Sequence, residues 1–353
     1  MTGLENEPSA GREDGLVLRP SGEHEAEAIR AVIAESFPDN PKSDEAILRW
    51  QYWRNPFGPS PCWVWDDGGR VVGHYTGIPV PILFDSRPAT AAIGVDAAIA
   101  PTHQGRRLFE SLARALYTDC GRHGMPVTIC YPNSESVRGI SRAGWREVDQ
   151  LATYVLPLDE GWMAERFHLP RLVASVARRL AFRMPESGSK GRKVDGPPEG
   201  LDGLWSRASC FVTYGIIRDA AWWRWRYLER PGSAYRYYEV REEGRLKGAA
   251  AVTEREAFGG RFVYVLEFEA LEPETAVGLA RAIAADSGNA VALALATRAG
   301  TRLAGLASSA GFRRLPRRLE PKPLRFGVVD NLGEHPDVAA APWCTAWGDL
   351  DHV

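Results

Sequence analysis

Hydrophobic residues in the first part of the chain follow two spacings, one typical of helices and one typical of strands. After a short apolar run at 16–19, apolar positions between 28 and 37 repeat at helical spacing, and Ser21 stands where an N-cap is expected. Apolar runs at 63–65 and 71–75 then flank the turn sequence DDGGR, which favours a β-hairpin. This part of the chain therefore predicts a strand, a helix and an antiparallel hairpin.

Elements of both kinds continue to residue 158. Further strands are predicted at 78–84, 93–100, 126–130 and 145–156, and helices at 107–122 and 134–142. The early strands follow one another directly, as antiparallel strands do, whereas a helix between two strands is typical of a parallel β-α-β crossover. The pattern predicts a mixed α/β fold, with a mixed but mostly antiparallel sheet flanked by helices.

An internal repeat divides the chain into two halves. RWQYWRNP at 49–56 recurs as RWRYLERP at 224–231, and the same spacing pairs Asp44, which opens the second predicted helix, with Asp219. It also pairs the turn GRVVG with the turn GRLKG. Repetition at a fixed distance is typical of duplicated structural units. We therefore predict two copies of one domain in tandem.

The second half repeats the predicted order of elements. Helices are predicted at 219–229, 274–285 and 301–310, a hairpin at 235–252, and strands at 262–271, 290–296 and 312–319. A length of 353 residues fits two domains of about 150 residues each. We predict a disordered tail at 1–15, domains at 16–158 and 201–353, and a connector at 159–200.

The connector combines two kinds of sequence. Residues 166–184 are basic and amphipathic, and the apolar side carries Leu169, Leu172, Val173, Val176 and Leu180. Residues 185–200 have the Gly, Ser, Pro and Lys content of a flexible linker. The amphipathic helix either docks on one of the domains or offers a surface for an acidic partner such as an acyl carrier protein.

Charge and cysteine content exclude several classes of protein. The formal net charge of −2 gives no reason to expect a nucleic acid or an anionic membrane as partner. The 5 cysteines are odd in number and form no CxxC pair, which argues against a disulfide framework or a zinc site. The N-terminal sequence has no apolar signal segment, and no run approaches the ~20 apolar residues of a membrane span. We expect a cytoplasmic protein with reduced thiols and no bound metal.

The segment GVDAAIAPTHQGRRLFESLARAL, residues 94–116, joins a strand to a helix through a tight loop. Such a junction directs unpaired backbone N–H groups and the positive end of a helix dipole at one point, which favours a phosphate or pyrophosphate. Gly105 allows a ligand to approach the backbone, and Arg106 and Arg107 add positive charge. A plain strand-to-helix turn with two solvated arginines is the alternative interpretation.

This segment resembles the acetyl-CoA signature of the GCN5-related N-acetyltransferases (GNAT), Gln/Arg-x-x-Gly-x-Gly/Ala. Gln104 falls on its first position, and Leu112 falls on the helix leucine that follows. Asn133 and Gly144-Trp145 stand at the spacing expected for the later parts of the family pattern. The resemblance implies a GNAT fold and an acyl-CoA cosubstrate, with no permanently bound cofactor.

The resemblance covers residues 16–158 closely and, through the repeat, residues 201–320 weakly, so it implies two tandem GNAT folds. It also implies which residues bind the donor. The backbone of Ala97, Ala98 and Ile99 is expected to hold the pantetheine arm and to supply the oxyanion N–H. Contacts to the phosphates are expected from His103, Gln104, Gly105, Arg106, Arg107 and Leu108, and a further donor contact from Asn133.

Three positions depart from the family pattern. Arg107 stands where the fourth motif position is usually glycine, and Phe109 stands at the sixth. Seven residues after Asn133 the family often carries a tyrosine that protonates the leaving thiolate, but this sequence has Ile140. The nearest substitute for that general acid is Tyr131.

Candidate bases lie on two predicted strands. Asp96 lies in an otherwise apolar run, where a carboxylate is costly unless it is paired or functional. It is either a general base or acceptor anchor, or a structural hydrogen-bond partner. His74 is the next candidate base. In the repeated motif, Trp50 and Tyr52 lie two residues apart on a helix, so we expect one in the core and the other at the acceptor groove.

The second copy differs at the position that matches the anion loop. It reads FEALEPETAVGLARAI, without Gln-Gly-Arg, and Glu272 and Glu274 would repel a pyrophosphate. We therefore expect a degenerate second domain that walls the acceptor cleft. The C-terminal Asp349, Asp351 and His352 are interpreted as part of a packed tail and not as a metal site.

The sequence favours an N-acyltransferase that moves an acetyl or longer acyl group from acyl-CoA directly to a primary amine on a small molecule or peptide. One alternative uses an acyl chain on a carrier protein as donor. The other is a non-catalytic acyl-CoA-binding protein, which the missing tyrosine favours. Two fused copies favour a monomer.

Overall fold

A computed structural model describes residues 11–13, 15–38, 44–232, 234–320 and 323–350. Residues 11–13 pair with the strand that follows them, so the expected disordered tail at 1–15 contains a strand. Residues 1–10 and 14 of that tail lie outside the described residues, as do Asp351 and His352.

Strands and helices alternate along the described chain. The strands are β1 (Gly11–Glu13), β2 (Leu16–Ser21), β3 (Cys62–Asp67), β4 (Arg70–Phe84), β5 (Arg87–Ile99), β6 (Val127–Cys130), β7 (Arg146–Pro157), β8 (Gly191–Val194), β9 (Tyr214–Ile216), β10 (Arg236–Glu242), β11 (Arg245–Ala257), β12 (Gly260–Ala270), β13 (Ala292–Thr297), β14 (Arg313–Arg314), β15 (Leu324–Asp330) and β16 (Trp343–Cys344). The α-helices are α1 (Ala26–Ser36), α2 (Glu45–Tyr52), α3 (Leu108–Arg122), α4 (Val137–Arg142), α5 (Glu160–Arg166), α6 (Arg171–Ala181), α7 (Leu201–Ala208), α8 (Ala220–Trp223), α9 (Pro273–Ala285) and α10 (Arg302–Ser309).

The chain forms two compact units, and neither is continuous in sequence. The first unit comprises Met1–Ile82, Pro88–Asp149 and Leu324–Ala341, and the second comprises Leu83–Arg87, Gln150–Pro323 and Pro342–Val353. These units do not coincide with the predicted domains at 16–158 and 201–353. The largest difference is β15, which comes late in the chain but belongs to the first unit.

The sheet of the first unit has the strand order β1-β2-β3-β4-β5-β6-β15-β7. Strands β2, β3 and β4 pair antiparallel. Strands β5 and β6 pair parallel, with Ala92 opposite Thr128, and α3 is the crossover between them. Strand β15 pairs antiparallel with β6, with Gly327 opposite Cys130. The sheet is therefore mixed, as the pattern predicts.

Two tryptophans of β3 fix α3 on this sheet. The indole N–H of Trp63 donates to the Asp119 carboxylate (3.0 Å), and that of Trp65 donates to the carbonyl oxygen of Leu108 (2.8 Å). Gly73 of β4 allows the close approach, because a Cβ atom there would lie 2.8 Å from Ile99 Cδ1 and 3.3 Å from Leu112 Cδ1. The first turn of α3 is thus held at the end of β5.

The second unit repeats this order of elements. Its sheet runs β7-β13-β12-β11-β10-β8, with residues 152–157 of β7 opposite β13. Strands β10, β11 and β12 pair antiparallel, and β12 pairs parallel with β13 across the helix α9. Tyr238, Phe268 and Phe312 are among the buried residues of its core. Both units therefore contain a hairpin, a third strand, a helix, a parallel strand and a second helix in the same order.

Several boundaries differ from the sequence prediction. The apolar runs at 71–75 and 78–84 belong to the single strand β4. Ser21 ends β2 and its hydroxyl donates to Glu25 (2.6 Å), whereas α1 begins at Ala26 without a side-chain cap. The hydroxyl is used by a carboxylate four residues away, so it is not available for the helix.

Larger differences lie in the second half. The helix predicted at 219–229 is a short α-helix followed by a π-helical turn at Arg224–Leu228. The strand predicted at 312–319 is reduced to the two residues of β14. The predicted flexible linker at 185–200 contains β8, which pairs with β10 from Tyr237 to Val240. Composition does not reveal a pairing with a strand more than forty residues away.

The amphipathic segment forms α5 and α6, and its apolar side is exposed. Leu172 is 76% and Leu180 is 77% exposed, whereas Ala174 on the opposite side is buried. The segment packs through Ala174, with Leu169 and Ala177 against the same small cluster, so most of the predicted apolar side is not covered by described residues. None of the helices that the structure describes is long and apolar enough to cross a membrane.

Candidate functional site

The loop between β5 and α3 presents the start of a long helix to solvent. A 3₁₀ turn at Pro101–His103 follows β5, and α3 begins at Leu108 after the N-cap residue Arg107. No side chain of the described residues caps this helix, and Gly105 and Arg106 are exposed. Unpaired N–H groups and the positive end of the helix dipole therefore face outward, the arrangement that binds phosphate groups in proteins.

The backbone of the loop explains the glycines of the family signature. Gly105 has φ +83° and Arg107 has φ +58°, both in the left-handed region. Glycine adopts this conformation freely, whereas a side chain adds about 1–2 kcal/mol of strain per residue. Arg107 therefore occupies a position whose conformation favours glycine. Its guanidinium, like that of Arg106, makes no ion pair with any described residue.

Phe109, the other departure in the signature, does not point at the loop. Its ring packs against Tyr75, with centroids 5.7 Å apart, and lies on Gly139 of α4, where a Cβ atom would clash with it. The absence of a side chain at Gly139 makes room for the ring. Phe109 thus joins α3 to α4 and leaves the helix start open.

Next to this loop β5 extends past the end of β6, which leaves a gap in the strand pairing. Their parallel pairing ends at Gly94 and Cys130, although β5 continues to Ile99. Asp96 stands in the left-handed region, with φ +57°, so β5 bends at this residue. Of the residues predicted to hold the pantetheine arm, Ala98 is buried and Ala97 and Ile99 are half-buried.

Asp96 is the centre of a small polar cluster. Its carboxylate accepts a hydrogen bond from the Tyr52 hydroxyl, and its backbone carbonyl accepts one from His74 Nδ1 (3.0 Å). The rings of Tyr52 and His74 stack with centroids 5.7 Å apart. Both rings are fully buried, whereas Asp96 is half-buried. The structure thus brings together the two predicted bases and adds Tyr52.

The role expected for the repeated aromatic pair is partly wrong. Trp50 and Tyr52 are both buried, so neither forms an exposed wall of a groove. Tyr52 was not among the predicted site residues because its partner is 44 residues away. The second unit repeats the contact, since the Tyr227 hydroxyl donates to Glu267 of β12 (2.9 Å). The recurrence of this tyrosine in the two copies of the motif was the sequence signal that could have marked it as important.

Residues after β6 have mainly structural contacts. The Asn133 side-chain oxygen accepts the backbone N–H groups of Glu135 (3.0 Å) and Ser136 (2.8 Å), which fixes the turn before α4. Tyr131 is half-buried, and its ring lies 5.4 Å from that of Phe326. Ile140 is 2% exposed and packs in the core. An apolar residue therefore occupies the position of the family's general acid.

His103 and Gln104 hold the loop in place. His103 lies between the Thr102 hydroxyl (2.8 Å) and the Asp67 carboxylate (3.2 Å), and the Gln104 amide donates to the carbonyl oxygen of Ile99 (3.2 Å). The six predicted phosphate contacts therefore differ in their surroundings. The side chains of His103 and Gln104 make hydrogen bonds that support the loop, Gly105, Arg106 and Arg107 are exposed, and the Leu108 side chain is buried.

Cysteine chemistry has little support at this site. Burial raises the pKa of Cys62 and Cys120 to about 12 and that of Cys130 to about 11. Thiols with such pKa values are almost entirely protonated near neutral pH and are poor nucleophiles. A covalent thioester intermediate on these three residues is therefore unfavourable.

Comparisons with known proteins give a consistent fold. Residues 17–148 match the family model described as an acetyltransferase (GNAT) domain, and no curated protein sequence matches the chain. A GCN5-related N-acetyltransferase from Anabaena variabilis is 12% identical, with a TM-score of 0.67 over 90% of this chain and 73% of that one. A probable N-acyltransferase of unknown function from Enterococcus faecalis is 14% identical, with a TM-score of 0.65 over 90% and 73%. Eis1 from Mycobacterium abscessus is 17% identical, with a TM-score of 0.56 over 92% and 75%.

Proposed function

We propose that this chain, whose residues 17–148 match an acetyltransferase (GNAT) domain, is an N-acyltransferase that transfers an acyl group from acyl-CoA directly to a primary amine. The observation that carries the proposal is the uncapped start of α3 beside the gap between β5 and β6. A helix start suits the pyrophosphate of coenzyme A, and an open strand edge suits the amide groups of pantetheine.

The donor lies in this proposal with its pyrophosphate on the N–H groups from Gly105 to Leu108. Arg106 and Arg107 neutralise its charge from the exposed side of the loop. The pantetheine arm follows Ala97, Ala98 and Ile99 into the gap. A backbone N–H of these residues stabilises the oxyanion of the tetrahedral intermediate.

Asp96 is the proposed base for the acceptor amine. It is the half-buried member of its cluster, so its carboxylate can take a proton from the amine directly or through a water molecule. His74 and Tyr52 are fully buried and act as positioning residues that hold the bend of β5 and the carboxylate. The amine nitrogen then attacks the thioester carbon, and the carbon–sulfur bond breaks to release the thiolate. Tyr131 is the proposed proton donor to that thiolate.

Titration calorimetry with acetyl-CoA, a long-chain acyl-CoA and a pantetheine thioester tests the donor site. We expect binding of a CoA form that is lost in Gly105→Glu. Gly124→Glu is the matched control, because Gly124 is exposed at the other end of α3 with a similar φ of +74° and open space around it. Unchanged affinity in Gly105→Glu, or equal loss in both variants, would contradict the loop assignment.

The second unit is proposed to be a degenerate copy of the same fold. The order and pairing of its elements support duplication, as does the repeated bond from the motif tyrosine to a carboxylate. At the start of α9 the carboxylates of Glu272 and Glu274 oppose a pyrophosphate, and Lys247 is already paired with Glu272 (3.7 Å). One donor site per chain is therefore expected, in a monomeric cytoplasmic enzyme. Calorimetric stoichiometry tests the number of donor sites, and size-exclusion chromatography tests the monomeric state.

A carrier protein as donor is the second candidate, favoured by the exposed apolar side of α6. Leu172, Val176 and Leu180 form one exposed row, and Arg171 and Arg179 beside them suit an acidic carrier. Leu180→Glu should then raise the KM for an acyl carrier protein and leave the KM for acyl-CoA unchanged. Leu332→Glu, at another exposed leucine, is the control. A carrier that gives no turnover would exclude this donor, and turnover with any amine would exclude a non-catalytic binding protein.

A further inference from the structure

The second unit contains a cavity of about 50 Å³ at the end of its parallel strands. Pairing between β12 and β13 ends at Tyr264 and Ala294, and Glu269 and Thr297 from the continuing strands line the cavity. The other walls come from α7, the start of α10 and the segment around Thr345. This is the place in the repeated fold that the donor gap takes in the first unit.

Two arginines line the cavity, and both have partners within the chain. Arg218 pairs with Glu267 (2.8 Å) and Asp349 (2.6 Å) and donates to the carbonyl oxygen of Ile216 (3.0 Å). Arg302 donates to the carbonyl oxygen of Leu271 (2.6 Å), and its guanidinium lies 4.4 Å from the centroid of the Phe211 ring. Arg218 is therefore neutralised by two carboxylates, whereas the partners of Arg302 are uncharged.

Glu269 has a longer ion pair with Arg218, which two closer carboxylates already share. Its carboxylate lies 3.6 Å from Arg218 Nε, beyond hydrogen-bond distance, and no described residue donates a hydrogen bond to it. The side chain is 18% exposed and lines the cavity. A carboxylate in such surroundings is expected to have hydrogen-bond donors, because removing it from water is costly.

Thr345 provides a second and independent indication. It is 4% exposed, it lines the cavity, and its hydroxyl oxygen has no hydrogen-bond partner among the described residues. Its backbone carbonyl, in contrast, accepts from the Thr297 hydroxyl (2.7 Å). Buried hydroxyl groups are rarely left without a partner, so we expect a polar group of a ligand to contact Thr345 in the cavity.

We propose that this cavity binds a small primary amine, as its ammonium ion, with Glu269 and the Thr345 hydroxyl accepting two of its three N–H groups. Trp205, Phe211 and Phe268 provide apolar and aromatic walls for the carbon body of the amine. A volume of this size holds about four water molecules, which suits an ammonium group and a short chain and excludes a nucleotide. A divalent metal would require more oxygen ligands than these two.

The electrostatics agree with a cationic ligand. The pKa of Glu269 is raised to about 7. Burial is the main cause; Glu267 and Asp349 also raise the pKa, whereas Arg218 and Arg302 lower it. An ammonium ion binds the ionised carboxylate and supplies the missing positive charge. Affinity should therefore weaken by about tenfold between about pH 8 and about pH 6, as Glu269 becomes protonated.

Calorimetry on the full chain with propylamine, propan-1-ol and propionate tests the site. We expect propylamine to bind, propan-1-ol and propionate to bind at least tenfold more weakly, and the amine affinity to fall at least tenfold in Glu269→Gln. Glu256→Gln, at an exposed glutamate on β11, is the matched control and should bind the amine normally.

Three results would overturn the proposal: equal affinity for propan-1-ol, preferred binding of propionate, or an unchanged amine affinity in Glu269→Gln. Thr345→Val keeps the charges and the side-chain shape, and should weaken propylamine binding severalfold if the hydroxyl accepts from the ligand. Thermal unfolding checks that each variant is folded. The binding measurement requires no acyl donor. A negative result would therefore contradict the amine site without contradicting the proposed transferase activity, which is tested separately.

Discussion

Replacing Glu269 by glutamine should change how the stability of the protein depends on pH. The carboxyl group has a pKa of about 7 in the folded protein, against an ordinary value of 4.5, because it is buried beside two other carboxylates. A raised folded-state pKa means that the folded protein binds the proton more tightly than the unfolded chain does. The stability that Glu269 contributes is therefore fully present below about pH 4.5 and is lost as the pH rises through about 7.

The size of this effect follows from the two pKa values. A full shift of this size corresponds to about 3 kcal/mol, and about 2 kcal/mol of it is lost between about pH 5.5 and about pH 8. Glutamine is neutral at every pH and has nearly the same shape, so Glu269→Gln removes this dependence. The variant should be more stable than the wild type at high pH, because it does not bury a charge whose nearest cation, Arg218, is paired with two closer carboxylates.

Thermal unfolding of the wild type and of Glu269→Gln at several pH values measures the effect. A change of about 2 kcal/mol corresponds to a shift of about 4–8 °C in Tm for a unit of this size, so the Tm difference should grow by that amount between about pH 5.5 and about pH 8. Glu256→Gln, which changes an exposed carboxyl group on β11, should show no such growth. A Tm difference between wild type and Glu269→Gln that stays constant across this range would refute the reasoning.

Three further predictions concern the first unit. Arg107→Gly should raise the free energy of unfolding by about 0.5–1 kcal/mol, because glycine relieves the left-handed strain; denaturant unfolding measures this change. The same variant should weaken acyl-CoA binding most at low ionic strength, which calorimetry at two salt concentrations measures. Asp96→Asn should lower kcat and change its pH dependence, and a pH–rate profile identical to that of the wild type would make Asp96 structural. Tyr52→Phe should cost about 1.5–3 kcal/mol of stability and also alter that profile, whereas Tyr227→Phe should cost stability alone; equal profiles in both tyrosine variants would contradict the positioning role.

Elements with local signals were predictable from the sequence. The hairpin at DDGGR, the N-cap of α2 by Asp44 and the periodic helix α3 all occur where the pattern predicts them. Each of these depends on residues within a few positions of one another. Strand β15 was not predicted, because its pairing with β6 joins residues about two hundred positions apart and its sequence has no distinctive alternation. The strand β8 was missed within a linker-like composition for the same reason.

In the candidate site, too, the features with local sequence signals were predictable and the contacts between distant residues were not. The loop from Gly105 to Arg107 was predictable because its backbone requirements leave a local trace in the sequence. The left-handed conformation of Arg107 was not, since arginine rarely adopts it. The bond from Tyr52 to Asp96 crosses 44 residues, and only the repetition of the motif hinted at it. The carboxylates around Arg218 come from separate parts of the chain, so no local pattern could have grouped them.

The two proposed sites place ligands of opposite charge at the same position of a repeated fold. In the first unit, Arg106 and the N-cap residue Arg107 directly precede the helix after the gap, α3, and the N–H groups at its start favour an anion. In the second unit, the corresponding helix begins beside Glu272 and Glu274, which repel a diphosphate, and the gap carries Glu269 instead. Charged side chains at the strand ends decide the ligand, and the shared order of strands and helices does not. A second acyl-CoA site is therefore unfavourable in this chain, whereas a small cation has a carboxylate and a hydroxyl available to bind it.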